Sequence, residues 1–105
     1  MSNFQQISIQ DAKQKIDANQ VTIVDIRDPG SYHSGHIAGA TSITGDEDVE
    51  KFLAGTDKQK PVLVYCYHGN SSQGAAAFLS EQGFNEVYSM KGGFEAWRGA
   101  YPFEK

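Results

Sequence analysis

Two short apolar runs, Val21-Thr22-Ile23-Val24-Asp25-Ile26 and Pro61-Val62-Leu63-Val64-Tyr65, leave few folds open to this chain. Both are rich in β-branched residues and neither alternates with polar ones, so each reads as a strand buried on both faces, the habit of parallel sheets. Helical patterns fill the gaps. Ser8 and Asp11 form a capping box ahead of Ile9, Ala12 and Ile16, which predicts a helix from about Ile9 to Asn19. A short strand over Phe4 to Ile7 is expected just before it. Asp28 and Pro29 predict an N-cap and first turn for a short helix that ends at Gly35 with Tyr32 turned inward. Ile37 to Ile43 reads as a loop entering a short strand, and Thr44 with Glu47 offers a second capping box for a helix facing inward through Val49, Phe52 and Leu53 and stopping at Gly55. After the Pro61 strand comes a helix from near Gln73 to Gly83, whose three alanines, Ala75, Ala76 and Ala77, let it approach the sheet closely. Glu86-Val87-Tyr88-Ser89 is a further strand, and the turn Gly92-Gly93 leads into a terminal helix with Phe94 and Trp97 on its core side. Strands that alternate with helices give βαβ units, hence an α/β fold with a mainly parallel sheet covered by helices on both faces.

Ligands of such sheets bind beyond the carboxyl ends of the strands, where Asp25 and Cys66 both fall. At 105 residues the chain suits one domain, 1–105, and with 39% hydrophobic and 21% charged residues it is expected to fold throughout. A formal net charge of −4 gives no electrostatic footprint for nucleic acid or anionic lipid. The first residues lack a basic segment followed by an apolar run, and the apolar stretch near Val62 is too short for a bilayer, so an intracellular, cytoplasmic location away from membranes is expected.

The only cysteine ends the second apolar run and opens the stretch Cys66-Tyr67-His68-Gly69-Asn70-Ser71-Ser72. A strand that delivers a thiol into a Gly/Asn/Ser loop, which then opens a helix, gathers backbone N–H groups around an anion. Gly69 accepts a positive φ, Asn70 tolerates the left-handed region, and Ser71 and Ser72 are candidate helix caps. A free thiol of pKa ~8.5 is only about 3% thiolate at neutral pH, and lowering that pKa by roughly two units requires ~2.7 kcal/mol of preferential stabilisation. The competing assignment is a small buried hydrophobe. Placement argues against it, because Cys66 ends the apolar run instead of lying within it. Cys66 is therefore read as a nucleophile.

Three separated segments carry a family resemblance: Val24-Asp25-Ile26-Arg27 with Tyr32 and Gly35-His36-Ile37-Ala38-Gly39-Ala40, the Cys66 loop, and Gly92-Gly93-Phe94-Glu95-Ala96-Trp97. Together they resemble the rhodanese homology domain, over most of the chain and at that family's spacings. The resemblance implies a rhodanese-like three-layer sandwich around a five-stranded sheet, and a ping-pong thiosulfate sulfurtransferase reaction. In that reaction the Cys66 thiolate takes the outer sulfur of thiosulfate, sulfite leaves, and the resulting persulfide passes its sulfur to cyanide or to a cellular thiol such as thioredoxin. It further implies that the loop from Tyr67 through His68, Gly69, Asn70 and Ser71 holds the anion, and that no cofactor or metal takes part.

Many rhodaneses carry Arg or Lys in this loop, whereas here it has no permanent cation, so weak thiosulfate binding with His68 as a titratable helper is expected. Ser31 before Tyr32, where the family often has Glu, removes one partner of Arg27. Asp25 and Arg27 read as a charged pair ordering the neighbouring loops, His36 as a backbone-bonding residue near the site, and Ser72 as a supporting residue. His33 and His36 have the spacing of a metal-binding pair but lack further ligands in the sequence. Phosphatase-like chemistry also uses a low-pKa cysteine in an N–H cradle, but it needs an Arg six positions later, where this chain has Ser72. A non-catalytic partner-binding module is the third class, and the presence of Cys66 weighs against it.

Overall fold

The computed structural model of the protein describes residues 3–105. Its strands are β1 (Gln5–Ile7), β2 (Thr22–Asp25), β3 (Thr41–Ser42), β4 (Val62–Tyr65) and β5 (Val87–Met90), and its helices are α1 (Ile9–Asp17), α2 (Pro29–Ser34), α3 (Asp46–Gly55), α4 (Ser71–Glu81) and α5 (Gly93–Arg98). The strands form one sheet in the order β1-β5-β4-β2-β3. Each pairing is parallel, so the sheet expected to be mainly parallel is wholly so.

Side-chain alternation along the strands divides the core between the two faces. Ile23, Leu63, Tyr65, Tyr88 and Met90 pack with Ala12 of α1 and with Phe94 and Trp97 of α5. Their neighbours Val24, Val62, Val64 and Val87 pack on the opposite face with Phe52 of α3 and with Ala76 and Leu79 of α4. Of the three alanines in α4, Ala76 is the one fully buried against the sheet. Tyr32 is half-buried, and its hydroxyl donates to the Ala40 carbonyl at 3.0 Å.

Local chemistry accounts for most helix ends. Ser8 Oγ accepts the Asp11 N–H at 3.1 Å, and α1 stops short of Asn19, which takes φ 57°. The Asp28 carboxylate accepts both the N–H and the hydroxyl of Ser31, at 3.0 and 2.7 Å, with Pro29 in the first turn. Those bonds to Ser31 hold the Asp28 carboxyl below its usual pKa.

Two cap assignments are corrected. The N-cap of α3 is Gly45, not Thr44, and the box with Glu47 does not form. Instead Asp48, at the third helical position, reaches back to the Thr44 N–H at 3.0 Å and to its hydroxyl at 3.2 Å. Helix α4 begins at Ser71, two residues before Gln73, with Asn70 as an N-cap that makes no side-chain bond. Ser71 and Ser72 therefore lie inside the helix and do not cap it, because the first turn of α4 is turned to another use at the sulfur of Cys66.

Candidate active site

Strand β4 lies between β2 and β5, and its register sets Asp25 opposite Tyr65 and Ser89 opposite Val64. Cys66 follows Tyr65 directly, so the thiol, the Asp25 carboxylate and the end of β5 meet at one edge of the sheet. The loop after Cys66 turns back over the sulfur. Gly69 adopts φ +93°, and its N–H reaches Sγ at 3.1 Å. The Ser72 N–H, in the first turn of α4, reaches the same atom at 3.3 Å. A helix leaves its first N–H groups without intrahelical acceptors, and here one of them is spent on sulfur.

Burial of Cys66 opposes its ionisation, but hydrogen bonding from Ser72 and from the loop N–H groups of Gly69 and His68 outweighs burial and lowers the thiol pKa. At a given pH below the ordinary thiol value of ~8.5, more of the sulfur is thiolate than in a free cysteine. With a folded pKa below the unfolded one, the stabilisation this ionisation gives the fold is fully present above the unfolded value. It is lost as pH falls through the folded value.

Of the remaining loop residues, His68 and Asn70 are exposed, Tyr67 is half-buried and Ser71 is exposed at the helix start. The loop has a second anchor. The Phe94 N–H donates to the Cys66 carbonyl at 2.9 Å and the Glu95 N–H to the Tyr67 carbonyl at 3.0 Å. The first turn of α5 thus takes up the loop carbonyls, which keeps those oxygens away from the sulfur while the N–H groups converge on it. This contact is possible only because position 93 has no side chain. A Cβ there would stand 2.5 Å from the carbonyl oxygens of both Cys66 and Tyr67. In the sequence, Gly92-Gly93 is equally compatible with a plain turn and with a close backbone approach, and the close approach is what the structure contains.

Asp25 and Arg27 form a buried pair. Arg27 donates from its backbone N–H and Nε to Oδ1 at 2.9 and 3.0 Å, and from Nη2 to Oδ2 at 2.6 Å. Nη2 also donates to the Gly35 carbonyl at 2.6 Å, and the guanidinium lies 4.2 Å from the Phe94 ring centroid and 5.9 Å from that of Tyr67. Burial opposes the Arg27 charge, but the Asp25 carboxylate more than offsets it and holds the guanidinium firmly protonated. One side chain so connects β2, the end of α2, α5 and the Cys66 loop.

His36 lies apart from the sulfur contacts. Its Nδ1 bonds the Tyr32 carbonyl at 2.8 Å, its ring stacks on that of Tyr32 at 3.9 Å, and its backbone pairs with Glu104. Tyr65, fully buried, accepts the Ile37 N–H on its hydroxyl at 3.1 Å, and burial raises its pKa far above the ordinary phenol value.

Two features of this region escaped the sequence. A cleft of about 620 Å³ lies beside the loop, with Arg27, Ser31, Tyr67, Phe94, Arg98 and Lys105 on its walls. Arg27, Arg98 and Lys105 thus share a cleft wall with Tyr67 of the loop, a proximity that linear spacing does not encode. The second is Ser89, a buried polar residue in the otherwise apolar strand β5, whose Oγ lies 2.7 Å from that of Ser72. The signal for it was there, as a lone serine in Val87-Tyr88-Ser89-Met90.

Comparison with known proteins agrees with this geometry. The model of the Rhodanese-like domain matches residues 8–100. A protein of Ectopseudomonas mendocina called thiosulfate sulfurtransferase GlpE is 49% identical over 104 residues, which cover 99% of this chain and 94% of that one. A protein of the same name from Tolumonas auensis is 48% identical over 103 residues, covering 98% and 96%. The crystal structure of a rhodanese-related protein from Thermoplasma volcanium superposes with a TM-score of 0.82 at 32% identity, over 96% of this chain and 98% of that one. Among the described residues, no helix is long and apolar enough to cross a membrane. With its parallel sheet, its cysteine at the end of the central strand and the N–H cradle around the sulfur, the chain belongs to the rhodanese-like domain family.

Proposed function

We propose that the protein is a thiosulfate sulfurtransferase that works by a ping-pong mechanism through a persulfide on Cys66. The observation that carries this reading is the pair of N–H donors, from Gly69 and Ser72, on a thiol whose pKa is lowered. Near-half identity across whole relatives named as thiosulfate sulfurtransferases supports the choice of donor.

In the first half-reaction the thiolate attacks the outer sulfur of thiosulfate. A new S–S bond forms at Sγ, the S–S bond of thiosulfate breaks, and sulfite leaves with its electron pair. The persulfide then carries its negative charge on the terminal sulfur. In this reading the loop from Tyr67 to Ser71, His68 included, surrounds that atom with backbone donors. Asp25, Arg27, Ser72 and His36 support the loop and its surroundings without reacting. In the second half-reaction cyanide attacks the terminal sulfur, giving thiocyanate and restoring the thiolate. A dithiol acceptor such as thioredoxin does the same in the cell, taking the sulfur on one thiol and expelling it as sulfide with the other. Such thiol chemistry suits the reducing cytoplasm, where we place the protein.

The fold also hosts phosphatase-like chemistry in principle, but a phosphate dianion requires a bidentate cation where this chain has Ser72. That residue is fully buried and bonded to Ser89, leaving the position filled.

Steady-state assays with thiosulfate against cyanide and against reduced thioredoxin test the reading. Parallel double-reciprocal lines and complete loss of turnover in Cys66→Ser are the expected results, since a hydroxyl in place of the thiol forms no persulfide. Turnover that survives in Cys66→Ser would overturn it. Intersecting lines would replace the persulfide relay with a ternary complex.

A further inference from the structure

Strand β5 contributes four buried residues to the sheet, and three of them, Val87, Tyr88 and Met90, pack in the two apolar clusters. The fourth is Ser89. By alternation it shares the face of Val87, the side on which α4 lies. Burying a hydroxyl there is costly without a partner, and the partner is Ser72 Oγ at 2.7 Å. Ser89 is 1% exposed and Ser72 0%, so both hydroxyls are shielded from solvent.

Each hydroxyl has one proton and two acceptor lone pairs, so a single proton lies between the two oxygens and belongs to one of them. If Ser72 supplies it, the Ser72 oxygen has only lone pairs left, which an anionic sulfur repels. If Ser89 supplies it, the Ser72 proton is free. The Ser72 N–H contacts Cys66 Sγ at 3.3 Å, and the Ser72 side chain is near enough to that sulfur to favour its anionic form. We infer that Ser89 is a positioning residue, which donates to Ser72 and thereby aims the Ser72 hydroxyl proton at the sulfur of Cys66 whenever that sulfur is anionic. The inference rests on Cys66 being the nucleophile. It adds a donor to the cradle that the loop backbone does not provide, and extends the site to a strand that carries no reacting group. The hydroxyl of Ser72 is among the contacts that lower the Cys66 pKa.

The test is the pH profile of Cys66 alkylation by iodoacetamide, followed by intact mass. The lone cysteine makes the readout unambiguous. Asp25, Arg27, His68, Glu81, Lys91, Glu95 and Arg98, the charged and histidine residues on or beside the surrounding elements, are kept in every variant, so a shift reports the hydroxyl pair. Ser89→Ala is expected to cut the alkylation rate below the profile midpoint by roughly three- to tenfold, the effect of losing one hydrogen bond that favours a charged form. In a Ser72→Ala background the same substitution should change nothing further, because its effect passes through that hydroxyl. The near-isosteric pair Ser89→Thr and Ser89→Val gives the comparison again without a cavity. Threonine is expected to keep the wild-type profile and valine to shift it as alanine does.

An unchanged profile in folded Ser89→Ala or Ser89→Val, or additive effects in the double variant, would overturn the inference. Alkylation does not depend on thiosulfate. Failure of the sulfurtransferase reading would therefore appear as absent sulfur loading in the wild type, separately from any result at position 89.

Discussion

Gly93→Ala is expected to abolish sulfur loading of Cys66 and to lower the unfolding free energy by on the order of 4 kcal/mol, the range in which backbone clashes and strained dihedrals fall. Two effects combine. Gly93 takes φ +59°, and a residue with a Cβ loses about 1–2 kcal/mol in that left-handed region. The added carbon would also stand 2.5 Å from two carbonyl oxygens and 2.6 Å from the Tyr67 carbonyl carbon. These are backbone atoms, so no rotamer change relieves the overlap. The strand end or the helix must move. Either movement breaks the bonds from the Phe94 and Glu95 N–H groups that hold the loop carbonyls. Gly74→Ala is the control. It lies within α4 with nothing inside 4 Å of a new Cβ, and is expected to raise stability by about 0.5–1 kcal/mol through helix propensity. Urea unfolding of the two variants checks the pair. A Gly93→Ala protein of wild-type stability that still loads sulfur would show that the loop is not held by α5.

Asp25→Ala is expected to destabilise the protein by about 3–5 kcal/mol, since it leaves a buried guanidinium without its counter-charge. Arg27 is 7% exposed and Asp25 0%, and three hydrogen-bonding groups of Arg27 lose their acceptor together. Removal of both charges, as in Asp25→Leu with Arg27→Met, is expected to recover much of that loss, because the apolar pair has no unpaired ion to bury. What the double variant does not recover is the Arg27 bond to Gly35 and its stacking on Phe94. Urea unfolding beside the rate of sulfur loading separates the two roles. If stability returns while loading stays slow, the pair orders the site. If both return, it serves the fold alone.

The course of the chain is legible because the β-branched runs at Val21 and Pro61 and the apolar periodicity of the helices each point to one state. The short β1 and the two residues of β3 carry too little pattern to fix their limits. The cap of α3 is ambiguous in the sequence because Thr44 is followed by a carboxylate at both 47 and 48. The N-cap at Gly45 makes Asp48 the third helical residue, from which its side chain reaches back. Helix α4 starts two residues earlier than its apolar pattern suggests, for a different reason. Serines at a helix entry usually serve their own backbone, but Ser72 turns its N–H to sulfur and its hydroxyl to a strand seventeen residues away.

At the site, the cysteine and the character of its loop are readable because both are local. The link from Gly93 to the loop carbonyls, the pairing of Ser89 with Ser72 and the cations of the adjacent cleft are not. Each depends on which strands lie side by side, and β5 lies beside β4 only once the sheet order is known. An apolar strand with one serine in it is the nearest thing to a clue.

The persulfide itself is open to a simple observation, the intact mass of the protein after incubation with thiosulfate and removal of small molecules. One added sulfur atom per chain is expected, located on Cys66, removed by a reductant or by cyanide with release of thiocyanate, and absent from Cys66→Ala. A folded wild-type protein that gains no sulfur from thiosulfate, or gains it equally in Cys66→Ala, would contradict a sulfur relay through Cys66.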